Sequence, residues 1–121
     1  MDHKQYQYID PFVLFDALGG DLEFFRSLSQ TFLEIAPPMF ERLERALKAG
    51  DATAASCESH ALKGTAALIG AKQLTNLLSD IESLSRRGEG AVTSIAELTR
   101  LFGVVMQEVD VSLVHFMGDT R

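Results

Sequence analysis

Apolar side chains recur every three or four residues along almost all of this 121-residue chain, and no segment alternates as a half-buried strand would. This periodicity predicts amphipathic helices, and the short connections between them favour antiparallel neighbours. We therefore expect an all-α fold, an up-down-up-down four-helix bundle with additional short helical structure at its N-terminal end. The expected core positions are Leu22, Phe25, Leu28, Phe32, Ile35, Met39, Leu43, Ala46, Leu47, Ala55, Leu62, Ala66, Ile69, Leu74, Leu77, Leu78, Ile81, Leu84, Ile95, Leu98, Phe102, Val105, Val109, Leu113 and Phe116.

Aspartate, glycine and proline residues mark the expected ends of these helices. The expected starts are Asp10-Pro11, Asp21, Asp51, Ala71, and Ser94 or a turn earlier, and the expected ends lie near Gly19-Gly20, Gly50, Gly70 and Arg87. Pro37-Pro38 should break or kink the second helix, because neither proline can donate a backbone hydrogen bond.

The charge of the chain narrows the class of partner. Eleven basic residues against seventeen acidic ones give a net charge of −6. This balance argues against nucleic acid, whose affinity for proteins comes largely from phosphate neutralisation by Lys and Arg. A protein partner or a small ligand fits the charge better.

Length, hydropathy and cysteine content suggest the setting in which the chain works. We expect a single helical-bundle domain over residues 1–121, because this length suffices for one core. No apolar run has the length of a membrane span, and residues 1–10 lack the apolar centre of a signal peptide. Cys57 is the only cysteine, which fits a reducing cytoplasm. No large exposed apolar face is expected, so the chain should be a monomer.

The sequence His60-Ala61-Leu62-Lys63-Gly64 places an imidazole, a cation and a missing side chain on one helical turn. On a helical wheel, the core stripe of this helix lies roughly opposite His60 and contains Ala55, Leu62, Ala66 and Ile69. The His60 side carries small or polar residues, namely Ser56, Lys63, Gly64 and Ala67. We therefore expect His60 to face solvent.

This arrangement is typical of phosphoryl chemistry. An exposed imidazole is mostly neutral near pH 7, and its free ring nitrogen can attack an activated phosphoryl group. Lys63 can balance the incoming charge, although an exposed ion pair contributes only about 0–1 kcal/mol. The sequence has no phosphate-binding loop, Ser-His-Asp set or pair of metal-binding motifs, whereas phosphoryl transfer needs a metal and several charge-stabilising groups. The chain should therefore supply the nucleophile and use the active site of a partner.

The stretch HALKGTAALIGAKQLTNLLSDIE, from His60 through Glu82, resembles the histidine-containing phosphotransfer (HPt) domains of two-component phosphorelays. It has the family's His-x-Leu-Lys-Gly core, a later Gly-Ala pair at Gly70-Ala71 and an apolar-Glu pair at Ile81-Glu82. The upstream Gly-Gly-Asp and Gly-Asp sequences are also similar, so the resemblance covers most of the chain.

The resemblance implies that His60 accepts a phosphoryl group on Nε2 from a receiver-domain aspartate or a kinase and passes it to a response-regulator aspartate. Lys63 would stabilise the phosphoryl charge. The partners would be receiver domains of response regulators and of a hybrid sensor histidine kinase. The partner would bind Mg²⁺, so this chain would be a phosphocarrier rather than an enzyme, with no metal or cofactor of its own. The implied docking residues are Gly64, Ser56, Ala67, Leu68, Glu82 and Arg86.

Other interpretations stay open. Glu82 and Arg86 lie on the next predicted helix and are expected to approach the His60 face, although a solvated helix surface explains them equally well. Leu68 could be an ordinary exposed leucine. A non-catalytic adaptor that binds receiver domains without being phosphorylated is the main alternative function. A metal-binding bundle using Cys57 with His60 lacks the further carboxylates or histidines that such a site requires. His3 and His115 are not expected to contribute.

Overall fold

The computed structural model describes residues 6–89 and 94–118, with side chains as far as residue 116. These ranges contain five helices and no strand: α1 (Pro11–Ala17), α2 (Leu22–Ala49), α3 (Ala52–Leu68), α4 (Lys72–Arg86) and α5 (Ile95–Gly118). Helices α2 to α5 form the expected up-down-up-down four-helix bundle, and α1 is the additional N-terminal helix. Within the described part of the chain, no helix is long and apolar enough to cross a membrane.

One apolar core joins all five helices. Its fully buried large side chains are Phe25, Leu43, Leu62, Leu74, Leu78, Ile81, Leu98, Val105 and Val109. Burying a side chain of this size contributes about 1.5–3 kcal/mol. Ile35 is 43% exposed, so its expected core position is wrong. The remaining apolar stripes fix which face of each helix points inward and which face stays available for function.

Aspartate side chains cap the first three helices, as the sequence predicts. The carboxylates of Asp10, Asp21 and Asp51 accept hydrogen bonds from the backbone N–H groups of residues 12, 24 and 54. Gly50 ends α2 in the left-handed conformation, with φ of 68°. A start of α5 earlier than residue 94 would fall on residues 90–93, which lie outside the described residues.

The expected break at Pro37-Pro38 is wrong, because α2 continues through both prolines, whereas the expected kink stays a prediction. Proline holds φ near −65°, close to the helical value, so the main cost is the loss of backbone hydrogen bonds, roughly 3 kcal/mol or more for each interior proline. Phe32, Ala36 and Leu43 are all buried on the same face, before and after the prolines. Packing of this continuous stripe offsets the lost hydrogen bonds and keeps the segment helical.

Candidate functional site

The face of α3 that carries His60 is set by the burial of the opposite face. Ala55, Leu62 and Ala66 are at most 2% exposed. Since these side chains point into the core, the residue at position 60 must point away from it. The His60 side chain is 68% exposed, which confirms the orientation expected from the helical wheel.

The side chain of Glu82, on α4, lies next to His60 on α3. Its side chain is only 5% exposed, and its two oxygens accept hydrogen bonds from three side chains. His60 Nδ1 lies 3.0 Å from Oε2, Lys63 Nζ donates to Oε1 at 2.7 Å, and Arg86 Nη2 donates to Oε2 at 2.6 Å. One buried carboxylate therefore holds three of the residues that the sequence singled out.

The charge of Glu82 determines which nitrogen of His60 carries the proton. The hydrogen bond from Lys63 is the largest cause that lowers the pKa of Glu82, burial acts in the opposite direction, and Arg86 and His60 lower the pKa further. The carboxyl group is therefore ionised and can only accept hydrogen bonds. We assign the proton of the neutral ring to Nδ1, because only Nδ1–H can donate to Oε2. Nε2 then keeps its lone pair.

Gly64 lies one turn after His60 and is exposed. A Cβ atom built at this position would meet no other atom within 4 Å. Internal packing therefore does not require a glycine here, although a helical glycine costs about 1 kcal/mol relative to alanine. The missing side chain leaves open the surface beside the His60 ring.

Comparison with known proteins identifies the family of the chain. The Hpt domain family matches residues 27–108, more than half of the chain. The chain belongs to the Hpt domain family. A solved structure with a similar fold is the histidine-containing phosphotransfer protein B (HptB) from Pseudomonas aeruginosa PAO1, with a TM-score of 0.80 and 26% sequence identity. The match covers 89% of this chain and 96% of that chain. No curated protein sequence matches significantly.

Membership in the Hpt family gives the chain a histidine phosphotransfer role in phosphorelays. Hpt proteins partner with receiver domains, and they are generally carriers rather than true enzymes. His60, Lys63, Glu82 and Arg86 are the residues that this Hpt domain brings together by hydrogen bonds. His60 is the exposed nucleophile candidate within the group.

The other predicted site residues of the Hpt domain lie along α3. Ser56 is half-buried, and Ala67 is exposed on the same side of the helix as His60. Leu68 is 61% exposed. It lies on the flank of α3 that faces α2, three residues after Thr65, whose hydroxyl contacts the sulfur of Met39. These side chains surround the His60 group without entering its hydrogen-bond network.

Glu82 approaches the His60 face from the next helix, as the sequence predicts, but its burial makes it neither a solvated surface residue nor part of the exposed docking surface. It lies beneath His60 and touches Lys63 and Arg86 instead. The signal was present in the sequence, because Glu82 follows Leu78 by four residues and precedes Ser85 by three. Both neighbours are buried. A charged residue in line with such positions is expected to be buried with partners.

The metal-binding alternative receives no support from the side chains at this site. Cys57 is an exposed free thiol one turn before His60. Across residues 6–89 and 94–116, no three His, Cys, Asp or Glu side chains are grouped so as to hold a metal ion. Both oxygens of Glu82, the carboxylate next to His60, already accept hydrogen bonds from side chains of this chain.

Proposed function

We propose that His60 is the residue of this Hpt domain that is phosphorylated, and that it relays phosphoryl groups between aspartates. The donor is either a receiver domain that carries an aspartyl phosphate or a kinase. The acceptor is an aspartate of a response regulator. The observation that carries the proposal is the hydrogen bond between the exposed His60 ring and the buried, ionised Glu82. It directs a free nitrogen lone pair towards solvent, where a partner can reach it.

The proposed transfer uses the two ring nitrogens for different tasks. The Nε2 lone pair of His60 attacks phosphorus, the bond from phosphorus to the donor aspartate oxygen breaks, and the aspartate leaves as a carboxylate. The phosphorylated ring keeps its Nδ1 proton and gains positive charge, which the Glu82 carboxylate stabilises at 3.0 Å. In the second transfer an acceptor carboxylate attacks phosphorus, and the electrons of the N–P bond return to Nε2.

The cations at the site favour an anionic group on His60. Lys63 and Arg86 carry two positive charges and Glu82 one negative charge, so the group has a net charge of +1 while the ring is neutral. Arg86 is 67% exposed, whereas Lys63 is 28% exposed. We assign the main stabilisation of phosphoryl charge to Lys63, with Arg86 at the rim towards the partner. Solvent exposure keeps each contribution modest.

We place the rest of the active site on the receiver domain. Phosphoryl transfer needs a metal and further charge-stabilising groups, and the carboxylate beside His60 is already occupied by three donors. The receiver would hold Mg²⁺ in its own acidic pocket, and this chain would need no cofactor. The receiver would dock on the exposed surface around His60, formed by Ser56, Gly64, Ala67 and Leu68, with Arg86 at its edge.

Transfer from a phosphorylated receiver domain tests the assignment. Incubation with a receiver carrying radiolabelled phosphoryl groups should give an acid-labile label on this chain, and His60→Gln should abolish it. His3→Gln is a matched control, because it removes another imidazole that the proposal does not use. Persistent labelling of His60→Gln would refute the assignment. Receiver binding without any labelling of the wild type would favour the adaptor function instead.

We also propose that the protein acts as a monomer in the cytoplasm and that its 121 residues form one domain. The exposed thiol of Cys57 suits a reducing compartment. The five helices share one core, as a single domain requires. Sedimentation of the purified chain tests the monomer, and localisation of a tagged copy in the source cell tests the compartment.

A further inference from the structure

The backbone before α1 is held to the bundle by an acidic side chain of α5. The Glu108 carboxylate accepts hydrogen bonds from three consecutive backbone N–H groups, those of Gln7, Tyr8 and Ile9, at 3.0, 2.8 and 3.1 Å. The next N–H group, that of Asp10, donates to the carbonyl of Ile69 at 3.1 Å. Four successive backbone donors are therefore bound, three by α5 and one by the turn between α3 and α4.

Side chains reinforce this attachment of residues 6–10, which we call the clasp. Ile9 and Tyr6 are buried, and the Tyr6 hydroxyl lies 2.6 Å from Nδ1 of His115. Gly70 packs so closely against the clasp that an added Cβ would lie 2.8 Å from the carbonyl oxygen of Asp10. Asp10 is also the N-cap of α1. The position of α1 therefore depends on where the clasp is held.

The clasp and α1 form one wall of a groove of about 420 Å³ that we call the α1–α4 groove. Its lining includes Asp10 and Val13 on the wall, Ala67 and Ala71 between the helices, and Lys72 and Thr75 on α4. Because α3 and α4 are antiparallel, the pair Ala67 and Thr75 lies two helical turns along from the pair His60 and Glu82. Seven residues of helix correspond to about 10 Å. The groove therefore lies on the His60 face.

A typical protein interface is large enough for a receiver domain docked at His60 to cover this groove as well. A stable interface covers about 800 Å² on each partner, equivalent to a disc of about 16 Å radius. A receiver domain that brings its aspartate to His60 must therefore cover surface about 10 Å away along α3. Ala67 lines the α1–α4 groove and lies one turn after Gly64 on the His60 face of α3, so the wall of the groove falls within this area.

We propose that Glu108 is a positioning residue for receiver docking: by binding the clasp, it fixes α1 as the wall of the α1–α4 groove against which the receiver packs. This inference rests on the proposed function of His60. Glu108 lies on α5 and touches neither His60 nor Glu82, so it acts on binding and leaves the chemistry of the ring unchanged. The receiver domain is the single occupant to which the proposal commits.

Three variants of the full chain test the proposal. Glu108→Ala removes all three acceptor contacts. Glu108→Gln keeps an oxygen for Tyr8 and Ile9 but loses the oxygen that binds Gln7. Asp110→Ala is the matched control, because it removes the same charge from an exposed position of α5 only two residues away. The probe is the receiver domain that exchanges phosphoryl groups fastest with the wild type.

Three measurements separate docking from chemistry and from unfolding. In Glu108→Ala, amide hydrogen exchange of residues 7–10 should rise at least tenfold, and the Kd for the receiver should rise about fivefold to tenfold. Labelling of His60 by phosphoramidate, a small donor that needs no docking, should change less than about twofold. Glu108→Gln should give intermediate effects, and Asp110→Ala should match the wild type.

Distinct results would overturn each idea. Faster exchange of the clasp with an unchanged Kd would show that α1 does not support docking, and an equal rise of Kd in Asp110→Ala would assign the effect to net charge. If Glu108→Ala fails to fold, Glu108→Gln decides the question through its hydrogen exchange at residues 7–10 and its Kd for the receiver. Failure of the wild type to be labelled at His60 by any donor would instead refute the proposed function, whatever Glu108 does.

Discussion

Nδ1 of the exposed His60 ring lies 3.0 Å from Oε2 of the buried Glu82 side chain. The group that is open to a partner is thus oriented by a group that the partner cannot reach. Positioning by a buried carboxylate keeps the ring in one orientation and one tautomer without occupying the surface that must dock. The same carboxylate binds Lys63 and Arg86, so a change of Glu82 affects the imidazole and both cations together.

Glu82→Gln should slow transfer from a receiver domain roughly tenfold, because a neutral amide stabilises the charged phosphohistidine ring less than a carboxylate does. Nitrogen NMR should show a wild-type His60 ring protonated mainly at Nδ1 and a mixture of tautomers in the variant. Glu58→Gln is the control, since Glu58 is a half-buried glutamate of α3 that pairs with Arg42 and does not contact His60. Equal transfer rates in wild type and Glu82→Gln would contradict the role of the carboxylate.

Acid should weaken the protein through Glu82. Its pKa lies below the usual glutamate value, chiefly because Lys63 donates a hydrogen bond to it. In the unfolded chain a glutamate takes up a proton near pH 4.3. Below about that pH the unfolded state binds more protons than the folded state. The stability that Glu82 contributes is therefore lost as the pH falls through the pKa of Glu82 in the folded protein. Urea unfolding from about pH 7 to pH 3 should show the wild type losing more stability than Glu82→Gln. Parallel pH curves would rule this out.

Lys63→Ala should reduce the transfer rate about tenfold, since it removes one of two cations near the phosphoryl group. It also leaves the buried Glu82 with fewer donors, which should cost about 1–2 kcal/mol of unfolding free energy without preventing folding. Lys48→Ala is the control, because Lys48 forms an exposed pair with Glu44 on α2. The hypothesis fails if both lysine variants transfer at the wild-type rate.

Gly64 should matter for docking and not for folding. Gly64→Ala should raise the unfolding free energy by about 1 kcal/mol, and Gly64→Gln should weaken receiver binding while keeping the bundle stable. Gly103 offers a matched control, because it is also an exposed helical glycine with no atom within 4 Å of an added Cβ. Calorimetric titration with a receiver should distinguish the pair. Equal affinities of Gly64→Gln and Gly103→Gln would remove the reason for a glycine beside His60.

Gly70→Ala should destabilise the protein more than Gly88→Ala. Both glycines have positive φ, 67° and 71°, so both substitutions carry a backbone strain of about 1–2 kcal/mol. Only Gly70 also faces backbone of the clasp, where an added Cβ would lie 2.8 Å from Asp10, and the crowding should add roughly 1–3 kcal/mol. Thermal unfolding measures the difference. Equal losses would mean that the clasp yields easily at this point.

Local rules predicted much of this fold from the sequence. Hydrophobic periodicity predicted the helices, and the three aspartates cap the helices that they were expected to cap. The helical wheel correctly predicted that His60 faces solvent. These features depend on residues at most a few positions apart. The continuity of α2 could not be predicted from these local rules, because burial of Phe32 and Leu43 outweighs the tendency of the prolines to interrupt a helix.

The remaining features depend on contacts between residues distant in the sequence. Glu82 reaches His60 across 22 positions, and Glu108 binds the backbone of residues 7–9 across about one hundred. Both are glutamates on helices, where a solvated surface is the ordinary expectation. The neighbours of Glu82 in the sequence indicate its burial, but only the packing of α4 on α3, and of the N-terminal segment on α5, shows which groups these two carboxylates bind.

The three donors that share Glu82 make positions 60, 63, 82 and 86 mutually dependent during evolution. A substitution at one of them changes the hydrogen-bond partner of the others, so effects of paired substitutions will not be additive. A change of Glu82 to a neutral residue, for example, alters what is tolerated at Lys63 and Arg86. Relatives that replace this carboxylate should therefore carry compensating changes at the basic positions, and the four residues should vary together across the family.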